Sequence, residues 1–295
     1  MRVLTKSVRD NRRGWIGWAV ALAAVAAMYA GFWPTIGKNP TMTEAMKAYP
    51  EALKEALHME DLTRPESYLG STVFGLLVPI LLAVFAISAG MKAIAGDEEA
   101  GTLDLVAAHP VGRVSLALQR FGAIVAAVVV LAAAVGLTIT GLRGPAQYPE
   151  VSAGNVAATS FQLALFGVLF GALAYAVGAW TGRKTVALAV AAGVAVLGYL
   201  ADSFLPQIEG LKWTQDLSPF HWYLGGDPLS NGLDWAGIGL LAGVSALLIA
   251  LGTWRFAHRD IATSRHRRMM PALAVVGVAA SVPTTARAVP APARG

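Results

Sequence analysis

Six long apolar runs, separated by short polar stretches, set the pattern of this chain. They lie at Trp15–Trp33, Ser71–Met91, Phe121–Gly141, Val156–Trp180, Val186–Leu205 and Trp235–Arg255. A helix needs about 20 apolar residues to cross roughly 30 Å of hydrocarbon, and each run meets that length. Lipid offers no partner to free backbone groups and no strand-length alternation interrupts the runs, so all six are predicted as α-helices. The expected fold is therefore an all-α integral membrane protein with six transmembrane helices.

Charge orients the bundle. Of the 23 Lys and Arg, six fall on one side of the predicted membrane: Lys38, Lys47, Lys54, Arg64, Arg143 and Lys212. The other seventeen fall before the first run, between the second and third, between the fourth and fifth, and from Arg255 onward. The excess of positive charge predicts that both termini are cytoplasmic. It also accounts for the net charge of +5 without nucleic acid. The first run is longer than a signal-peptide core and ends in Phe32-Trp33-Pro34 rather than small residues, so an uncleaved span is expected.

The domain plan has a basic N-terminal segment 1–13, a six-span domain 14–260 and a tail 261–295. The first segment sets Val3, Leu4 and Val8 among basic residues, as a short amphipathic helix on the inner leaflet or a plain topology-setting flank. In the outer loop after the first run, Pro50-Glu51 reads as the start of a short surface helix with Leu53 and Leu57 on one face, or the stretch is a plain solvated loop. The tail is basic, then rich in proline and alanine, and is expected to be disordered and cytoplasmic.

Within the runs, Pro79 is expected to bend the second helix. Gly167, Gly171, Gly178 and Gly182 form a small-residue stripe on the fourth, suited to close packing inside the subunit or to a dimer seam. The last outer loop holds Trp213, Phe220, His221, Trp222 and Tyr223 and leads into Trp235, which reads as an interfacial aromatic belt.

Candidate chemistry is sparse. There are no cysteines, which excludes disulfides and thiolate metal sites. His109 and His221 have no partner at metal-ligand spacing. Gly178-Ala179-Trp180-Thr181-Gly182-Arg183-Lys184-Thr185 resembles a phosphate loop but has arginine before the lysine and closes a membrane helix, so no ATP site is expected. Asp202 is the only carboxylate within a run, near its outer end, and Gln162 is the main polar residue elsewhere. A proton- or ion-coupled carrier keeps ionisable groups inside the membrane, and an intramembrane enzyme needs a nucleophile and base at depth. Neither is present, so an energy source in a partner is expected and no catalytic, cofactor or metal residue is assigned.

The stretch between the second and third runs carries a distinct pattern: Asp97-Glu98-Glu99, then Gly101-Thr102-Leu103-Asp104-Leu105, then Pro110-Val111-Gly112-Arg113. With Ser218-Pro219-Phe220 in the last outer loop, it resembles the permease subunits of ATP-binding-cassette (ABC) exporters of the type-2 class. That resemblance implies a half-transporter. A second permease copy, as homodimer or related heterodimer, would complete the pathway, and a separate ABC ATPase would carry ATP and Mg. Residues 97–113 would form a short coupling helix docking on that ATPase through Asp97, Glu98, Glu99, Gly101, Thr102, Leu103, Asp104, Leu105, Pro110 and Arg113. The same segment also reads as a solvated loop with its leucines against the bundle. The resemblance further implies a bacterial plasma membrane and membrane-lipid contact, and an uncharged bundle suits a hydrophobic or amphipathic cargo such as a drug, antibiotic or lipid. A secondary carrier or channel, and a membrane scaffold, are the alternatives.

Overall fold

The computed structural model describes residues 2–37, 39, 41, 44, 48–50, 64–96 and 112–258, with side chains described from Asn11 onward. The surface helix expected to follow Pro50 and the tail lie outside the described residues. The described helices belong to one unit, Met1–His258.

The spans are α1 (Arg2–Ile36), α2 (Pro65–Ala93), α3 (Arg113–Leu142), α4 (Ala153–Thr181), α5 (Lys184–Ser203) and α8 (Trp235–His258), and no strand occurs among the described residues. Between α5 and α8 lie two 3₁₀ turns, Leu205–Gln207 and Lys212–Leu217, and the short helices α6 (Pro219–Leu224) and α7 (Pro228–Asn231). The chain is thus the predicted all-α protein with six helices long and apolar enough to cross a membrane.

Alanine and glycine make α4 the axis of the bundle. It packs against α2, α3, α5 and α8, and both short helices touch it. Most of its length is buried, from Val156 to Ala179. The outer helices α1, α5 and α8 instead expose Ile16, Val20, Val196, Leu197, Leu247 and Trp254. Apolar side chains turned outward along a long helix suit acyl chains as solvent.

The backbone runs as one helix from Arg2 to Ile36, and no proline interrupts it before Pro34. One element differs from the sequence reading. In α2, the irregularity expected at Pro79 lies upstream as well. Gly70–Leu77 is wound as a π-helix, and Pro79 sits in the first turn of the α-helical part that follows. The Val78 N–H donates to the Val73 carbonyl, five residues back. A proline lacks an N–H and crowds the preceding turn, and a widened turn relieves that crowding.

Candidate functional site

The two ends of the bundle differ in charge. Neighbouring helices run in opposite directions: Trp33, late in α1, stacks 5.4 Å from Tyr68, early in α2, and the Tyr68 hydroxyl donates to the Tyr29 carbonyl. At the other end, the Arg120 guanidinium donates to the Ala93 carbonyl at 2.8 Å, joining the start of α3 to the end of α2. There too the Arg255 guanidinium lies 5.7 Å from the centre of the Trp180 ring, a cation–π arrangement. That end gathers Lys92, Arg113, Arg120, Arg183, Lys184 and Arg255 and is called the basic end below. Glu150, Asp202, Asp216, Asp227 and Asp234 belong to the far end.

The connection between α2 and α3 leaves and returns at the basic end. Of the residues expected to dock an ATPase, Asp97, Glu98, Glu99, Gly101, Thr102, Leu103, Asp104, Leu105 and Pro110 lie outside the described residues. Arg113 is exposed as the first residue of α3. The root of the segment is firmly held: Ile94 and Ala95 are buried, and a Cβ on Gly178 of α4 would stand 3.6 Å from the Ala95 Cβ.

The small-residue stripe separates into two roles. A Cβ on Gly167 would meet Val128 and Leu82 at 2.7 and 3.0 Å, one on Gly171 would meet Ile124 and Ala86, and one on Gly178 would meet Ala95 and Ala187. These three glycines face helices of the same chain. Gly182 instead ends α4 with φ of 66°, and its N–H donates to the Gly178 carbonyl. This left-handed position favours glycine. It links helix to helix, with none of the strand that precedes a phosphate loop.

The far end carries the least anticipated feature. Residues 205–234 do not lie flat on the surface; α6 dips back into the bundle. Phe220 packs edge-on to Phe166 of α4 at 4.9 Å and Tyr223 lies 5.2 Å from the same ring. Phe166 is about 20 Å along α4 from its far-end start, at 1.5 Å per residue. Trp213 and Trp235 are exposed, as a belt requires, but Phe220 and Tyr223 are buried. The expected belt is therefore partly a re-entrant cap, because its rings find partners in the aromatic cluster of Phe166, Phe170 and Tyr199.

Polar side chains fasten this cap. Ser218 caps α6 by accepting from the Phe220 N–H, and its hydroxyl donates to the Gly198 carbonyl at 2.8 Å. Gln162, fully buried in α4, donates to the Tyr223 carbonyl at 2.9 Å and accepts from the Asp234 N–H at 3.2 Å. Asn155 donates to the carbonyls of Leu229 and Ser230. Asp234 accepts from the N–H groups of Ala236 and Gly237 and so caps α8. His221, isolated in sequence, faces Asp202 with Nδ1 3.4 Å from Oδ1. The Asp202 carboxylate at that distance, with Asp216 and Asp234 nearby, lifts the imidazole above its ordinary pKa despite partial burial. Sequence reasoning singled out Gln162 and Asp202 as polar residues in apolar runs and Ser218 as part of a motif without a role; it had no signal for Asn155 or Asp234, which look like ordinary helix-end residues. No group of three or more metal-ligating side chains occurs among the described residues.

Residues 4–257 match the family described as multidrug efflux system permease Rv1217c, C-terminal domain. The probable ABC transporter permease protein NosY of Pseudomonas aeruginosa (strain PAO1) is 31% identical over 226 residues, which cover 65% of this chain and 77% of that relative. The six apolar helices, the charge-poor spans and a match across nearly all of the helical unit agree, and the chain belongs to the multidrug efflux permease family of ABC-type membrane permeases.

Proposed function

We propose that this chain is the membrane subunit of an ABC exporter, forming half of a translocation pathway and driven by a separate ATPase. The observation that carries the reading is the family match over residues 4–257, joined to a bundle whose α2–α3 connection roots at the basic end. In this reading the basic end and both termini face the cytoplasm of a bacterial plasma membrane. The ATPase, with ATP and Mg, grips residues 97–113: Leu103 and Leu105 supply apolar anchors and Asp97, Glu98 and Glu99 pair with its cations. Closure of two ATPases over ATP pushes that segment and, through its gripped root, rocks the spans between inward- and outward-open states.

A second permease copy or a related chain supplies the other half. The matching family is named for a C-terminal domain, consistent with a permease built from more than one such unit. The cargo is hydrophobic or amphipathic, because charged side chains stay at the ends of the spans and Gln162 is the principal polar group at depth.

The test is an affinity pull-down of the tagged chain in mild detergent, wild type beside the Glu98→Lys/Leu103→Asp double variant. A nucleotide-binding subunit is expected with wild type and at least about tenfold less with the variant, the effect of roughly 1.4 kcal/mol at the interface. Absence of any ATPase from the wild-type preparation overturns the reading.

A further inference from the structure

The cap is joined to the bundle by two kinds of contact, and one kind responds to protons. Neutral hydrogen bonds do much of the fastening: Ser218 to the Gly198 carbonyl, Thr214 to the Ala201 carbonyl, Gln215 to the Asp202 carbonyl, and the Gln162 and Asn155 bonds from α4. None of these titrates near neutral pH. The ionisable link is His221 on α6 against Asp202 in the last turn of α5. Asp202 is only 4% exposed, whereas 36% of the His221 side chain is left uncovered by the protein. A carboxylate buried to that degree calls for a cationic or hydrogen-bonding neighbour, and this imidazole stands 3.4 Å from it.

We propose that the Asp202–His221 pair is a proton-operated latch: protonated His221 holds the cap against α5, and its deprotonation loosens the cap. The importance of this for export rests on the permease reading above; the latch itself does not.

The surrounding charges all act in one direction. Asp202 faces His221 from α5, Asp216 from the second 3₁₀ turn and Asp234 from the start of α8, while α4 contributes neutral Gln162 and Asn155. Negative neighbours favour the imidazolium, foremost the Asp202 carboxylate 3.4 Å away. A pKa raised in the closed state means that the latch contributes fully below the ordinary histidine range and is lost as pH rises through the raised value.

The closed cap is also poised to open. The Tyr223 hydroxyl is fully buried and has no hydrogen-bond partner among the described residues, and the same holds for the Ser203 hydroxyl. Unpaired buried polar groups oppose the state that buries them. A proton on His221 then shifts the balance between the closed and open states.

The absence of cysteine makes a direct test available. Ser203 is 2% exposed and adjacent to Asp202, and its hydroxyl makes no bond that a thiol would lose. The Ser203→Cys chain, purified in detergent without ATPase, is reacted with a polar maleimide from pH 6 to 9. Each rate is divided by that of the same chain unfolded in dodecyl sulfate at the same pH, which removes the titration of the thiol. Each pKa unit by which closure raises His221 changes the closed-to-open ratio about tenfold. A rise of at least about threefold with pH is expected, and a flat profile when His221→Gln is added. Asp202→Asn is expected to give fast labelling throughout the range, and it carries the test if the His221→Gln chain fails to elute as a folded species. Parallel pH profiles with and without either substitution overturn the latch. No ATPase or cargo enters this assay, so its failure and that of the exporter reading are separable.

Discussion

Gly90 and Gly171 meet where α2 crosses α4. A Cβ on Gly90 would run into the Gly171 carbonyl oxygen and stand 3.1 Å from the Ala174 Cβ. The nearest obstacle is backbone, which cannot rotate away, so Gly90→Ala must push two helices apart. A loss of about 1–3 kcal/mol is expected, as for other overpacked sites. Thermal melting in detergent checks it, with Gly193→Ala as the control, since a Cβ there meets nothing within 4 Å. Equal melting temperatures for the two variants would count against the crossing. At this scale the sequence was informative about kind but silent about partners. It marked Gln162 as polar in an apolar run, yet the groups it serves, Tyr223 and Asp234, lie 61 and 72 residues away. It left His221 without a partner because Asp202 sits on another element.

Among elements, the wide turn of α2 is the one that length and hydropathy do not reveal. Proline marks the neighbourhood, but the π-helical Gly70–Leu77 precedes it, and hydropathy is the same for either winding. The extra width sets the rotation of the first turn, which directs the Tyr68 hydroxyl to the Tyr29 carbonyl at 3.0 Å. Deleting Thr72 is expected to turn that segment by about 100°, one residue of an α-helix. Tyr68→Phe should then cost about 0.5–1.5 kcal/mol in the wild type and nothing in the deletion. Guanidinium or thermal unfolding of the four chains of this cycle checks it; a cost that survives the deletion would show that the turn does not set the contact. The spans themselves were legible because their length and apolarity are imposed by the bilayer. The cap was not, because aromatic residues in a loop look alike whether they lie at headgroup level, as Trp213 and Trp235 do, or are buried among phenylalanines, as Phe220 and Tyr223 are.

Across the molecule, charge separates the ends: Arg120, Arg183, Lys184 and Arg255 at one, and Glu150, Asp216, Asp227 and Asp234 at the other. Under the proposed orientation, an impermeant maleimide applied to intact cells should label Lys212→Cys and leave Arg183→Cys unlabelled until the membrane is opened. The opposite pattern would invert the topology and move residues 97–113 away from any cytoplasmic ATPase. Residues 97–113, proposed above to meet an ATPase, were read from their own motif; their last residue, Arg113, opens α3 as an exposed side chain.

The central position of α4 bears on how such chains diverge. Its neighbours approach so closely that few of its residues can change size without moving another helix. The outward faces of α1, α5 and α8 require only that a side chain be apolar. Substitutions among relatives should therefore accumulate on the lipid-facing rim and spare the axis, so that distant members of the family resemble one another most where they touch neither partner nor membrane.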